Sequence, residues 1–297
     1  MTIDIASTSW GPFTATGTGG TYNSWQRDGI PLVNRTQILN PEFTFTDDFE
    51  GSMPSFWGVG TNVRYGVAAS QDPSYTGGNV LAFDYTGTSP NSIAEQPFNV
   101  SNCLQVEISY RKFIPANYDQ PITGSNNKVL VLRSDGSGAI STSNHAFSIE
   151  CFARTNNIEG SVPYLQMGGQ GINFDFSGWF SASPNDATQK RIYVDGTAGY
   201  WQEEAIYYVL PENGEEFGTL ELWIDDELVI SSDLNLDISS GAGGVPTSQQ
   251  IIYNPTNNYI NYGYLMGHAN AGFLEATTFY IDNFSFKSRS TSVGATT

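Results

Sequence analysis

Six aromatic residues set among polar neighbours are the first groups here that could act on a ligand: Trp179, Tyr200, Trp201, Trp223, Tyr259 and Tyr262. A ring face stacks on the C–H face of a pyranose, and nearby Asn and Asp supply hydrogen bonds to its hydroxyls. The run Tyr253-Asn-Pro-Thr-Asn-Asn-Tyr-Ile-Asn-Tyr has that composition, which equally suits adaptable protein contacts. Each Trp also has a reading as core or inter-subunit packing, since Trp and Tyr are at home in interfaces. Other chemistries find little support. His145 and His268 lack zinc spacing and a Cys partner at motif distance. Gly168-Gly-Gln-Gly lacks the Lys and Ser/Thr of a phosphate loop, and Ser134-Asp-Gly-Ser-Gly reads as a turn. Glu221-Leu-Trp-Ile-Asp-Asp-Glu227 does not match the Glu-x-Asp-x-x-Glu spacing that would project alternate acids into a cleft. Asp225 and Asp226 predict a hairpin turn instead, because Asp tolerates that geometry.

The elements that must position these residues are strands. Apolar residues do not recur at helical spacing over three turns, and Gly or Pro interrupts most windows. Strand patterns are plentiful: 79–85, 104–110, 128–133, 146–152, 205–210, 219–225 and 278–286. Seven or more such runs, separated by Gly, Asn, Pro and Ser turns, predict an all-β antiparallel sandwich of two sheets. Alternation puts Leu104, Val106, Ile108 and Tyr110 inward, with Gln105, Glu107 and Ser109 in water. Likewise Leu220, Leu222 and Ile224 point inward, and Glu221 and Trp223 lie on the opposite face. Residues 1–45 show no alternation and hold isolated Trp10, Phe13, Tyr22 and Trp25, which predicts an irregular arm. That arm either wraps its own sandwich or docks on a neighbour through those rings. The sandwich is expected over 46–287, with long loops at 172–195 and 236–258 and a solvated tail at 288–297. Cys103 and Cys151 lie in or beside strand-like runs, as buried thiols or as a bridge between neighbouring strands.

Charge narrows the function classes. The formal net charge is −18 and only 14% of the 297 residues are charged. Phosphate contacts need Lys and Arg, so nucleic acid is excluded as a partner. No stretch is apolar enough to insert in a membrane as a helix. Residues 1–20 show no basic, apolar leader pattern, so the expectation is synthesis in a cytoplasm without a secretory signal.

Three segments carry a resemblance: Phe45-Thr-Asp-Asp-Phe-Glu-Gly with Trp57; Trp201 followed by Gly218-Thr-Leu-Glu-Leu-Trp-Ile-Asp-Asp-Glu-Leu-Val; and Gly267-His-Ala-Asn270 with Phe279-Tyr-Ile-Asp-Asn-Phe-Ser-Phe. Together they resemble the concanavalin-A-like jelly roll of heparin-lyase-type polysaccharide lyases, laminin-G-like modules and carbohydrate-binding modules, over roughly 45–287. The resemblance implies the jelly roll itself. For a lyase acting on a uronic-acid polymer it implies a base, an acid and a cation near the carboxylate, with His145, Tyr110, Arg111 and Lys128 as candidates and Lys112 beside them. It also implies a structural Ca²⁺ held by Glu50 and Asp282, both hard oxygen ligands; no other cofactor is required.

The −18 charge would repel a polyuronate, which weighs against inherited lyase activity. The Ser/Thr/Asn/Gly/Tyr-rich surface suits a virus-particle protein. The expectation is therefore a non-enzymatic bacteriophage virion protein, decorating a capsid or sitting on a tail. It would be a homo-oligomer whose arm docks on other virion proteins and whose sandwich touches neutral glycans. The alternatives are a carbohydrate-binding module and a polysaccharide lyase.

Overall fold

Among the described residues, alternating apolar residues and turn-forming pairs build sixteen strands. The computed structural model describes residues 37–72, 74–87, 92–117, 126–134, 146–152, 162–168, 199–212, 218–231, 258–269, 272–273 and 275–290, with 13–15, 25–27 and 30–31. In chain order the strands are β1 (Phe13–Ala15), β2 (Trp25–Arg27), β3 (Ile30–Pro31), β4 (Phe43–Asp47), β5 (Val63–Ala68), β6 (Asn79–Tyr85), β7 (Ser92–Cys103) and β8 (Gln105–Ile114). They continue with β9 (Asn126–Arg133), β10 (Ala146–Phe152), β11 (Val162–Gly168), β12 (Tyr200–Val209), β13 (Thr219–Ile224), β14 (Glu227–Ser231), β15 (Ile260–Ala269) and β16 (Thr277–Arg289).

Two antiparallel sheets form the sandwich. One is eight-stranded, in the order β14-β13-β12-β8-β16-β6-β5 with β4 also on β16; the other is five-stranded, β11-β10-β9-β15-β7. The predicted hairpin at Asp225-Asp226 is present: both residues have positive φ (49° and 61°), and Ile224 pairs with Glu227. That is the two-residue turn whose twist matches its strands.

The core lies between the sheets. Val106, Ile108 and Tyr110 of β8 meet Ile206 and Tyr208 of β12, Leu220, Leu222 and Ile224 of β13, and Leu130 and Leu132 of β9. At one end Phe45, Phe56, Trp57, Phe98, Phe284 and Phe286 form an aromatic cluster, with Phe45 and Phe56 stacked at 3.9 Å. Asp47 is buried beside it and accepts from Phe49 N (2.8 Å), Trp57 Nε1 (2.6 Å) and Tyr65 OH (2.9 Å). Each fully buried ring of this kind contributes about 1.5–3 kcal/mol. One charged pair also lies on the core-facing side: Lys112 (0% exposed) against Glu204 (2%). Tyr110 OH and Gln202 Nε2 donate to the same carboxylate at 2.7 and 2.9 Å.

Several expectations need adjustment. β4 begins at Phe43, inside the stretch read as arm, because Phe43-Thr-Phe-Thr-Asp alternates and pairs with Phe284–Ser288 of β16. β16 likewise runs to Arg289, two residues into the expected tail. Within 1–45, β1, β2 and β3 form a three-stranded sheet of their own, with Ala15 opposite Trp25 and Phe13 opposite Arg27; Trp10 and Tyr22 lie outside the described residues. Gln105 and Glu107 face away from the core yet are buried. Glu107 accepts from Ile38 N at 2.7 Å and Lys287 Nζ at 2.9 Å, so a covering segment and an ion pair replace water there. Cys103 is a buried free thiol whose Sγ donates to Ile260 O at 3.2 Å. The side chain of Cys151 and both expected long loops, apart from Asn258, lie outside the described residues.

Candidate functional site

Strand β15 reads Ile-Asn-Tyr-Gly-Tyr-Leu-Met-Gly-His-Ala. Period-2 alternation sends Gly263 and Leu265 inward. A Cβ on Gly263 would come within 2.4 Å of the Phe98 ring, so the core aromatic fills the space a side chain would take. Tyr262 and Tyr264 therefore project from the outer face of the five-stranded sheet. Across the strand, Tyr262 is in register with Arg133 at the end of β9, and Tyr264 with Val131 of β9 and Pro97 of β7. The Arg133 guanidinium carbon lies 4.7 Å from the centroid of Tyr262 and 5.5 Å from that of Tyr264. The two tyrosine rings meet edge to face at 6.3 Å.

After Leu265 the ladder to β9 breaks, and it resumes at Ala269 opposite Asn127. Met266 (φ 59°) and Gly267 (φ 131°) make this bulge. A Cβ at Gly267 would fall 2.8 Å from the Tyr264 ring and 3.4 Å from Lys128 Cβ, so the glycine permits their approach. Beyond it, His268 stands opposite Ile93, and Met266 opposite Glu95. Glu95 thus sits on β7 between the partners of Tyr264 and His268. Burial pushes its carboxyl above the usual range, against the opposing pull of Arg133, His268 and Lys128. Burial also raises the Tyr262 hydroxyl, and the Glu95 charge adds to that.

One face thus gathers Glu95, Lys128, Arg133, Tyr262, Tyr264 and His268. Arg133 and Tyr264 are buried (7% and 6% exposed), whereas Glu95, Lys128, Tyr262 and His268 are half-buried. Chemically the face offers a guanidinium and an ammonium for a carboxylate, the Tyr262 ring for a sugar face, and an imidazole able to take up or give a proton.

The residues expected from sequence are distributed differently. Tyr110 points between the sheets, 1% exposed. Arg111, one residue on, points from the outer face of the eight-stranded sheet, in register with Asp282 and Glu203 and 5.2 Å from the Trp201 ring. Lys112 is in the core. Only Lys128 of the lyase set reaches the five-stranded face; His145 lies outside the described residues. Tyr110, Arg111 and Lys128 are therefore on three different surfaces and cannot act on one sugar. Adjacent residues of a strand must diverge, which the run Tyr110-Arg-Lys conceals when read as a cluster.

The aromatic candidates divide in the same way. Tyr262 is in the cluster and Tyr259 lies just before β15. Tyr200 packs against the core. Trp201 is stacked on Tyr75 at 4.5 Å and donates to Asp72 at 2.9 Å. Trp223 is buried, donating to Glu221 at 2.7 Å. Trp179 lies outside the described residues. Arg133, Tyr264, Glu95 and the role of His268 were not foreseen. The signal was available in β15: Tyr262, Tyr264 and His268 recur at even spacing around small or apolar Gly263 and Leu265.

Glu50 and Asp282, expected as Ca²⁺ ligands, flank Tyr75. Glu50 accepts from Asn79 N at 2.6 Å and Asn79 Nδ2 at 3.1 Å; Asp282 accepts the Tyr75 hydroxyl. Among the described residues no group of three or more His, Cys, Asp and Glu side chains converges where an ion could sit. Two carboxylates so engaged do not fit the six to eight oxygen ligands of Ca²⁺.

No family model matches the chain, and no curated protein sequence does. Solved structures that share its fold include an alginate lyase variant in complex with alginate tetrasaccharide, at TM-score 0.50 and 9% identity, covering 84% of this chain and 98% of that one. An endo-β-1,4-glucuronan lyase from the fungus Trichoderma reesei aligns at TM-score 0.50 and 8% identity, covering 84% and 96%. A carbohydrate recognition domain in metal-free form aligns at TM-score 0.41 and 10% identity, covering 80% and 90%. The first two establish the fold as a concanavalin-A-like jelly roll. At such identities they assign no residue.

Proposed function

We propose that the outer face of the five-stranded sheet binds an acidic polysaccharide. The observation that carries this is Arg133, buried against Tyr262 and Tyr264, with the half-buried Lys128 and His268 beside it on the same face. A guanidinium reads a sugar carboxylate bidentately while ring faces take the pyranose C–H face. The two lyases that share the fold act on polymers of this class, alginate and glucuronan. The net charge of −18 opposes a polyanion at long range, but those charges are screened beyond about 10 Å at 0.1 M salt, whereas contacts inside the patch are not. Affinity should therefore be lower at very low ionic strength than at about 0.1 M.

His268, half-buried on the same face, favours a second reading, β-elimination at the same site. With Arg133 neutralising the uronate carboxylate, its imidazole takes the C5 proton as base. The C5–H electron pair forms the C4–C5 double bond, the C4–O4 bond breaks, and an acid protonates the departing oxygen. Binding and elimination separate in one experiment. Alginate and glucuronan oligomers are titrated onto the protein by calorimetry, and the same mixtures are followed for the ultraviolet absorbance of the unsaturated product. Binding lost in Arg133→Ala and Tyr262→Ala, with no absorbance change, supports the binding module. Absorbance that disappears in His268→Ala supports the lyase. Equal affinity for a neutral glucan, unchanged by Arg133→Ala, refutes both.

The Ser/Thr/Asn/Gly-rich composition, with 12 Lys and Arg among 297 residues, supports placing this module on a virus particle. There Trp10, Phe13, Tyr22 and Trp25 would face other virion proteins or a second copy of the chain. Deleting residues 1–36, ahead of β4, should leave a folded sandwich and lower its order of assembly in light scattering. Unchanged assembly would refute the docking role.

A further inference from the structure

A carboxylate in the middle of a patch built to hold carboxylates works against its own ligand while it is ionised. Glu95 is that group. Its backbone is fixed on both sides: it pairs with Met266 of β15, and it exchanges N–H···O bonds of 2.9 Å with Thr61. The side chain cannot leave the face without breaking this pairing. Around it stand Arg133 and Lys128 from β9, and His268 with Tyr262 from β15. Lys128 is itself in register with Glu150 of β10. The segment 57–61 that borders Glu95 on its other side carries no titratable side chain.

We propose that Glu95 is a proton-operated gate on acidic-glycan binding: ionised, it repels the sugar carboxylate and occupies the field of Arg133; protonated, it releases that field and donates its own hydroxyl hydrogen to the ligand. The inference rests on the acidic-polysaccharide reading of this face. Binding then takes up one proton per site. Affinity rises as pH falls and levels off once Glu95 is neutral, and the burial that raises its carboxyl brings this transition toward mildly acidic pH. A protonated His268 on the same face also favours an anion. The two groups must be separated by substitution.

The experiment measures affinity for a defined polyuronate oligomer at about pH 5 and about pH 7.5 in the full chain and in Glu95→Gln, Glu95→Ala and His268→Asn. Thermal unfolding of each variant checks that it is folded. For the unmodified chain the affinity should be about tenfold higher at the lower pH. Glu95→Gln should bind at the higher pH nearly as tightly as the unmodified chain does at the lower, and His268→Asn should keep most of the pH ratio. The gate is overturned if Glu95→Gln and Glu95→Ala both keep the full ratio, or if His268→Asn alone removes it. If the unmodified chain fails to bind the oligomer at either pH, the polysaccharide reading itself falls, and the gate with it.

Discussion

Replacing Lys112 by Met tests whether the charged pair inside the core is a stabilising unit. Lys112 and Glu204 are 0% and 2% exposed, so solvent screening does not discount their interaction. Removing one partner of such a pair costs about 3–5 kcal/mol, because the other charge is left buried without its counter-charge. Here Glu204 keeps two donors, Tyr110 OH at 2.7 Å and Gln202 Nε2 at 2.9 Å. They partly solvate the orphaned carboxylate and place the expected loss near the lower end, about 3 kcal/mol. For a sandwich of this size, 1 kcal/mol corresponds to about 2–4 °C, so Tm should fall by about 6–12 °C. Urea unfolding followed by tryptophan fluorescence gives the free energy directly. The double variant Lys112→Met with Glu204→Gln removes both charges and keeps an acceptor for Tyr110. It should regain at least half of the loss, a coupling of about 1.5 kcal/mol or more. A single-variant loss below about 1 kcal/mol, or a double variant equal to the sum of the singles, would show that the pair is not a unit and refute the reasoning.

Three further outcomes follow from groups outside that pair. Asp47→Ala removes the acceptor of Phe49 N, Trp57 Nε1 and Tyr65 OH, and should cost about 2–4 kcal/mol in urea unfolding. In the same variant the Tyr65 hydroxyl, raised by burial and then by Asp47, should ionise at lower pH in an ultraviolet titration, and an unmoved titration would contradict the bond. Cys103, whose thiol burial pushes up to about 12, should resist alkylation near pH 8 until the protein unfolds; rapid native labelling that Cys103→Ser abolishes would contradict its placement. Because Glu50 and Asp282 are engaged by Asn79 and Tyr75, millimolar Ca²⁺ should move Tm by less than about 1 °C, and a rise of several degrees lost in Asp282→Asn would show an ion displacing those donors.

The fold was legible because period 2 is a strong signal on half-buried strands. The runs 79–85 and 146–152 coincide with β6 and β10 residue for residue. Asp225-Asp226 announced its hairpin through residues that accept positive φ. What escaped was the choice between faces. Gln105 and Glu107 follow the polar half of the alternation yet are buried, and Glu107 is covered at Ile38, a contact between residues 69 positions apart. Lys112 falls on the inward half of the alternation, where an apolar residue is expected, and its counter-charge Glu204 lies on β12, far along the chain. The site was missed for the same reason. Neighbours in sequence such as Tyr110 and Arg111 diverge, while Glu95, Arg133 and His268 converge through strand pairing that no local pattern states.

Strand β16 is the last of the described strands and lies in the interior of its sheet, with β8 on one side and β6 followed by β4 on the other. Phe43 meets Ser288, so the first and last strands of the sandwich are direct neighbours. During synthesis, the local hairpins β5–β6, β9–β10–β11 and β12–β13–β14 emerge before the strand that unites the larger sheet. Until Thr277–Arg289 leave the ribosome, β8 and β6 each expose an unsatisfied edge of N–H and C=O groups, the kind of template on which chains associate wrongly. Closure between such distant segments is also slow. The hazard for a nascent chain therefore lasts until β16 has been translated, and faster folding of the earlier hairpins cannot shorten it.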